Sequence, residues 1–227
     1  MRAVLWDMDG TLVDSEKLWD ISMHALYARM GGVLTPEVRL ATVGGSAEGV
    51  MQIVYDDLGL DHDEAAMTES MDWLHTYTGE LFAKGLPWRD GAHELLEELL
   101  AAGVPMALVT NTRRDLAEQA LNSIGRQYFS VTVCGDEVPH GKPAPDPYRR
   151  AAELLHLDPV QCLAVEDSVT GTLSAESAGC PVLVVPNDVE VPTGPLRRHV
   201  PSLKSLHLDD LRAVHAELVP QRGDRSA

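Results

Sequence analysis

Apolar residues follow two rhythms along this chain. Short unbroken runs, Val4 to Trp6, Val104 to Val109, Ser130 to Cys134, Cys162 to Val165 and Val182 to Val185, are bounded by glycine or polar residues. Such runs are how strands buried on both faces of a parallel sheet read. Between them the period is helical. Leu18, Ile21, Ala25 and Ala28 share one helix face that Ser15 is placed to cap, with Trp19, Met23, Leu26 and Met30 widening the stripe until Gly31-Gly32 ends it. Pro36 opens a short helix, Gly44-Gly45-Ser46 interrupts, Val50, Ile53, Val54 and Leu58 continue, and Asp63 to Ala83 reads as a further helix. Asp90 is expected to cap a helix carrying Leu95, Leu96, Leu99 and Leu100 that Gly103 ends. Later helices are expected over Arg113 to Ile124, Asp146 to Leu157, Val169 to Ala178 behind Ser168, and around Leu208, Leu211, Val214 and Leu218.

The spacing of the runs sets the architecture. A parallel crossover needs a dozen or more residues, yet roughly ninety separate the first strand from the second, far more than a loop should hold. The excess is an all-helical domain inserted after the first strand, with Lys84-Gly85-Leu86-Pro87 as the returning hinge. From Asp90 onward helix and strand alternate, the mark of a doubly wound α/β sheet. The expected division is an α/β core over residues 1–14 and 86–219, a helical domain over 15–85, and a disordered tail over 220–227.

Composition narrows the partners. Thirty-five acidic against eighteen basic residues give a net charge of −17, which repels phosphate backbones and argues against nucleic acid or an anionic membrane as a partner. No apolar run approaches the roughly 20 residues of a membrane span, and the N-terminus enters a strand without a signal peptide, so a cytoplasmic protein is expected. Cys134, Cys162 and Cys180 lack metal-like spacing and read as small buried hydrophobes. The same negative charge repels a small anionic substrate, which therefore requires a local cation or a metal.

The strand ends supply both. Loops leaving the carboxyl edge of an open α/β sheet line one crevice. There the first strand offers Asp7 and Asp9, with Gly10 allowing a sharp turn, the second Thr110 and Asn111, and a later one Glu166 and Asp167, while the loop before Asp146 offers Lys142. Four carboxylates, a hydroxyl and one lysine form an all-oxygen nest suited to Mg2+, with a cation beside it for a phosphoryl group.

Asp7-Met8-Asp9-Gly10-Thr11-Leu12-Val13-Asp14-Ser15, Thr110-Asn111, Gly141-Lys142-Pro143-Ala144-Pro145-Asp146 and Val165-Glu166-Asp167-Ser168-Val169-Thr170-Gly171 resemble the four ordered motifs of the haloacid dehalogenase (HAD) superfamily. The helical insertion is similar to the cap of its β-phosphoglucomutase-like branch, which holds sugar-phosphate phosphatases and phosphomutases. The resemblance implies a Rossmann-like core and a mechanism. Asp7 is the nucleophile that forms an aspartyl-phosphate, and Asp9 is the acid and then the base. Asp7, the Asp9 carbonyl and Asp167 hold Mg2+, supported by Glu166. Thr110, the Asn111 amide and Lys142 hold the phosphoryl oxygens. The cap closes over the site, and a monomer acting on a small phosphorylated metabolite is expected.

Departures from the family pattern favour one reaction. An aspartate at position 9 is absent from haloacid dehalogenases proper and from phosphonatases, so Asp9 favours a phosphate ester. β-Phosphoglucomutases usually carry a histidine near the position of Trp19, and Ser15-Glu16-Lys17-Leu18-Trp19 is more similar to deoxyhexose and sugar-phosphate phosphatases. Hydrolysis therefore leads, with a phosphomutase as the alternative and a non-catalytic phosphate-binding protein behind both, since that protein should have lost Asp7 or Asp9. Trp19 is expected to wall the pocket, and Gly45 and Ser46 to bring backbone and hydroxyl groups from the cap to the substrate, although as sequence they read equally as a turn and a helix cap. Asp14 is assigned to the hinge or to capping, His140 to a loop beside the site or to the surface, and Arg222-Gly223-Asp224 to chance.

Overall fold

The computed structural model describes residues 1–187 and 189–219; the expected tail, with its Arg222-Gly223-Asp224 tripeptide, lies outside them. Six strands, β1 (Ala3–Trp6), β2 (Met106–Val109), β3 (Val131–Val133), β4 (Cys162–Glu166), β5 (Val182–Val184) and β6 (Arg197–His199), form one all-parallel sheet in the order β3-β2-β1-β4-β5-β6. The first strand is thus central, with Val4 in register with Met106 on one side and Leu163 on the other. Its four residues are fully buried, as a strand covered by helices on both faces must be. One face packs Val4, Trp6, Leu108 and Val165 against α5 (Ala92–Ala101), α6 (Arg114–Ile124) and α9 (Leu208–Leu218). The other packs Leu5, Val109 and Ala164 against α7 (Asp146–Leu154) and α8 (Val169–Ala178).

The expected strand at Val104 begins at Met106, because Pro105 has no N–H for the ladder. The sixth strand, Arg197–His199, has no counterpart in the pattern of apolar runs. It is an edge strand, where basic residues discourage pairing with another chain. Asp90 does not cap α5; that position falls to Gly91, at φ 83°, whose backbone passes so close to Leu203 and Lys204 that an added Cβ would lie 2.5 Å from them.

Four helices, α1 (Glu16–Met30), α2 (Pro36–Thr42), α3 (Ala47–Leu58) and α4 (Glu64–Phe82), lie between β1 and α5. They enclose an apolar cluster of their own built on Met23, Leu26, Tyr27, Met51, Val54 and Leu74. On α1 the inward stripe is Met23, Leu26 and Tyr27, whereas Ile21 is 47% exposed. The expected face through Ile21 and Ala28 therefore points outward, and Met23 and Leu26, expected only to widen the stripe, carry the packing together with Tyr27. Ser15 does not cap α1 with its side chain; its hydroxyl is used elsewhere, as described below. The two connections between the helical and α/β parts run side by side. Asp14 N–H donates to the Pro87 carbonyl at 2.8 Å and Arg89 N–H to that of Leu12 at 2.9 Å.

Candidate active site

The carboxyl ends of β1, β2 and β4 meet in one crevice that α1–α4 roof. Asp7 and Asp167 directly follow β1 and β4, and Glu166 is the last residue of β4. Gly10 turns the chain at φ 83° so tightly against Asp167 that an added Cβ would sit 2.0 Å from its Oδ2. Only glycine tolerates both the angle and the approach.

Lys142 enters from the loop before α7 and is 3% exposed. Its Nζ donates to Asp7 Oδ1 and to Glu166 Oε1, both at 2.6 Å. Glu166 also accepts from the Tyr148 hydroxyl at 2.5 Å and the Ser168 hydroxyl at 3.3 Å. Burial alone would push the Lys142 ammonium down, but Asp7 and Glu166 outweigh it and hold the group above its ordinary value. Burial pushes the Asp7 carboxyl up to about 7, with Lys142 opposing and Glu166 and Asp9 adding to the rise. Burial, then Asp7 and Glu166, also raise Asp167 well above the carboxylate range. These carboxylates crowd together with less cation than they need.

That imbalance has the chemistry of a hard-cation site. One oxygen from each of Asp7, Glu166 and Asp167 lies within 4.8 Å of the others. Asp7 Oδ2 is buried without a hydrogen-bond partner among the described residues. Carboxylate oxygens with an open lone pair match Mg2+, and the set fits that ion.

Asp9 is held differently. Its carboxylate accepts from Ser15 Oγ at 2.6 Å and Trp19 Nε1 at 3.1 Å on the helical side, and from Thr112 Oγ1 at 2.8 Å and Thr110 Oγ1 at 3.4 Å on the sheet side. It is therefore ringed by donors, whereas Asp7 is ringed by charges. Thr112 was not among the residues singled out from the sequence, although it stands two positions beyond Thr110 at the same strand end. Asn111, expected at the phosphoryl oxygens, uses its amide to clamp the Lys142 backbone, accepting from Lys142 N–H at 2.7 Å and donating to its carbonyl at 3.1 Å. The same amide donates to Gly44 O at 3.3 Å, which ties the roof to the core.

Trp19 borders the chamber, as do Gly44 and Gly45. Ser46 stands behind them, its hydroxyl accepting from Gly49 N–H at 3.2 Å as the cap of α3. Three titratable roof residues that the sequence did not point to also border the chamber: Glu16, Arg39 and His75. Arg39 bonds Glu16 Oε2 at 2.7 Å. No spacing rule marks them, because what recruits them is the way α1, α2 and α4 lean over the sheet. His140 lies 76% exposed beside Asp146, and Asp14 pairs with Lys17 at 2.8 Å near the hinge.

The chain is similar to proteins of known sequence and structure. Residues 4–185 match the family model described as haloacid dehalogenase-like hydrolase. Hexitol phosphatase A of Escherichia coli is 33% identical over 206 residues, covering 84% of this chain and 86% of that protein. A phosphoglycolate phosphatase of Neisseria gonorrhoeae is 31% identical over 188 residues, covering 79% and 78%. The solved structure of CbbY from Rhodobacter sphaeroides in complex with phosphate superposes with a TM-score of 0.80 at 27% identity, over 93% of this chain and 99% of that one. A β-phosphoglucomutase from Clostridium difficile shares the fold, with a TM-score of 0.85 at 17% identity, over 97% and 100%. No described helix is long and apolar enough to cross a membrane.

Proposed function

The chain belongs to the haloacid dehalogenase-like hydrolase family and is a phosphomonoesterase, and from that premise we propose that it hydrolyses a small sugar or polyol monophosphate through an aspartyl-phosphate on Asp7. The observation that carries the reading is the pairing of Asp7 and Asp9 in contrasting surroundings. Asp7 has one oxygen on Lys142 and the other without a partner, poised to attack phosphorus. Asp9 accepts hydrogen bonds from four neutral donors, which fix the orientation of its carboxylate.

In the first half-reaction an Asp7 oxygen bonds to phosphorus as the bond from phosphorus to the ester oxygen breaks, and Asp9 gives that oxygen its proton. In the second, Asp9 takes a proton from water, whose oxygen attacks phosphorus and releases Asp7. Lys142 neutralises the growing charge on the phosphoryl oxygens, held in place by Glu166 and by the Asn111 clamp. Mg2+ held by Asp7, the Asp9 carbonyl and Asp167, with Glu166 behind them, would supply the charge that lets a dianionic ester approach this acidic crevice. Residues 15–85 act as the cap that excludes bulk water. Trp19 stands where a mutase carries histidine, so water is the acceptor in preference to a second sugar hydroxyl.

The enzyme is expected to act as a cytoplasmic monomer. Phosphate release from hexitol, deoxyhexose, pentose and nucleotide monophosphates, with Mg2+ and with excess chelator, tests the proposal. Metal-dependent release confined to a few polyol or sugar phosphates is the expected result, and release that persists in chelator overturns it.

A further inference from the structure

Asp167 is the one acidic side chain of the crevice that no described residue orients by a hydrogen bond. Asp7 has Lys142 on one oxygen, Glu166 has Lys142, Tyr148 and Ser168, and Asp9 has its four donors. Asp167, 5% exposed, accepts none among the described residues. Yet it is one of the groups proposed above to hold the cation. Carboxylates that ligate a metal are as a rule steadied by a hydrogen bond from an outer partner, and losing that partner weakens metal affinity or activity by about 10–100-fold.

A donor of the right kind stands beside it. Asn187 lies on the segment that leaves β5, and β5 runs next to β4 with Val184 in register with Glu166, so this segment emerges beside Asp167. The Asn187 Nδ2 is buried and has no hydrogen-bond partner among the described residues. Gly10 shows how near the two groups come. At the point where a Gly10 Cβ would sit, Asp167 Oδ2 is 2.0 Å away and Asn187 Nδ2 is 3.4 Å away. The missing side chain of Gly10 thus leaves one space shared by a carboxylate oxygen without a donor and an amide without an acceptor. Turning the amide over would set its oxygen against the carboxylate, so the NH2 end belongs there. Each group is costly to bury unpaired, and each is what the other lacks. A neutral amide can also steady Asp167 without cancelling the charge that a cation needs.

We propose that Asn187 is the positioning residue of Asp167, its amide donating to the Asp167 carboxylate in the cation-loaded enzyme and so setting the affinity of the crevice for a divalent cation. This rests on the Mg2+-dependent reading above and deepens it. It adds a residue from the end of β5 to a crevice built on the ends of β1, β2 and β4.

The test uses the whole chain without substrate. Mg2+ binding is measured by calorimetry, and melting is followed in chelator and in saturating Mg2+, for wild type, Asn187→Leu and Asn187→Asp at pH 8. Leucine is close to the amide in shape and removes the donor. In chelator Asn187→Leu is expected to melt no lower than wild type, because an unpaired buried donor has been taken away, yet to bind Mg2+ about tenfold more weakly. A residue that only packs would do the reverse, lowering the melting temperature and leaving the dissociation constant alone. Asn187→Asp sets another carboxylate beside Asp167, so it is expected to melt below wild type in chelator and to be raised more by Mg2+ than wild type is. The inference alone is overturned if wild type binds Mg2+ while Asn187→Leu binds it within about twofold as tightly or fails to fold, or if Asn187→Asp responds to Mg2+ as wild type does. A wild-type chain that takes up no Mg2+ overturns the inference together with the metal-dependent reading.

Discussion

Removing the Lys142 ammonium should unbalance the whole acidic crevice. Lys142→Met keeps most of the side-chain volume but leaves Asp7, 6% exposed, and Glu166, fully buried, without the cation that both contact at 2.6 Å. Breaking a buried pair by deleting one partner costs about 3–5 kcal/mol, because the remaining charge stays desolvated. Here one cation serves two carboxylates, so the upper part of that range is expected. In a chain of this size each kcal/mol moves Tm by about 2–4 °C, which places the variant roughly 8–20 °C below wild type.

The assay is urea unfolding and thermal melting in chelator, so that no divalent cation replaces the ammonium. Glu166→Gln alone should cost less, because Lys142 keeps Asp7. Lys142→Met/Glu166→Gln should fall short of the sum of the single losses by about 1–3 kcal/mol, the coupling expected of groups in one network. The uncompensated carboxylates can also take up protons, so the Lys142→Met deficit should shrink from pH 8 to pH 5. A Lys142→Met protein within about 1 kcal/mol of wild type at pH 8, with an unchanged urea slope, would refute the claim that these carboxylates depend on it.

Two further outcomes follow from local geometry. Gly171 lies in the first turn of α8, where alanine should gain about 1 kcal/mol from helix propensity, but its Cβ would fall 2.0 Å from both Glu166 carboxylate oxygens; overpacking of about 1–3 kcal/mol should win, and a Gly171→Ala protein that melts higher than wild type contradicts this. His75 has its folded-state value lowered from 6.5 to about 4, so its contribution is fully present above pH 6.5 and is lost as pH falls toward 4; wild type should lose about 3 kcal/mol more than His75→Gln over that window, and parallel pH profiles would show that the ring is not held neutral.

The central strand, the inserted helices and the carboxylate pair were legible because each leaves a local mark. β1 is an unbroken apolar run, the gap to β2 is too long for a loop, and Asp7 and Asp9 sit at a strand end beside a glycine. The sixth strand left none, since Arg197–His199 pairs only through its backbone at a sheet edge. On α1 two stripes of similar hydrophobicity competed, and the position of α4 decided which one turned inward. Thr112 and Tyr148 leave no local mark, because each acquires its role from a residue on another element, Asp9 for Thr112 and Glu166 for Tyr148. Asn111 shows the reverse. Its place at the strand end was readable, but its amide's use on the Lys142 loop depends on where that loop returns.

The most direct test of the account is to acid-quench the enzyme in the first turnovers with a substrate found in the ester panel and to map any phosphoryl group by peptide mass. The account predicts an acyl phosphate on the peptide bearing Asp7, labile to hydroxylamine and absent from Asp7→Asn, with hydrolysis in 18O-labelled water placing the label in the released phosphate. A phosphoryl group on another side chain, or undiminished turnover by Asp7→Asn, would contradict it.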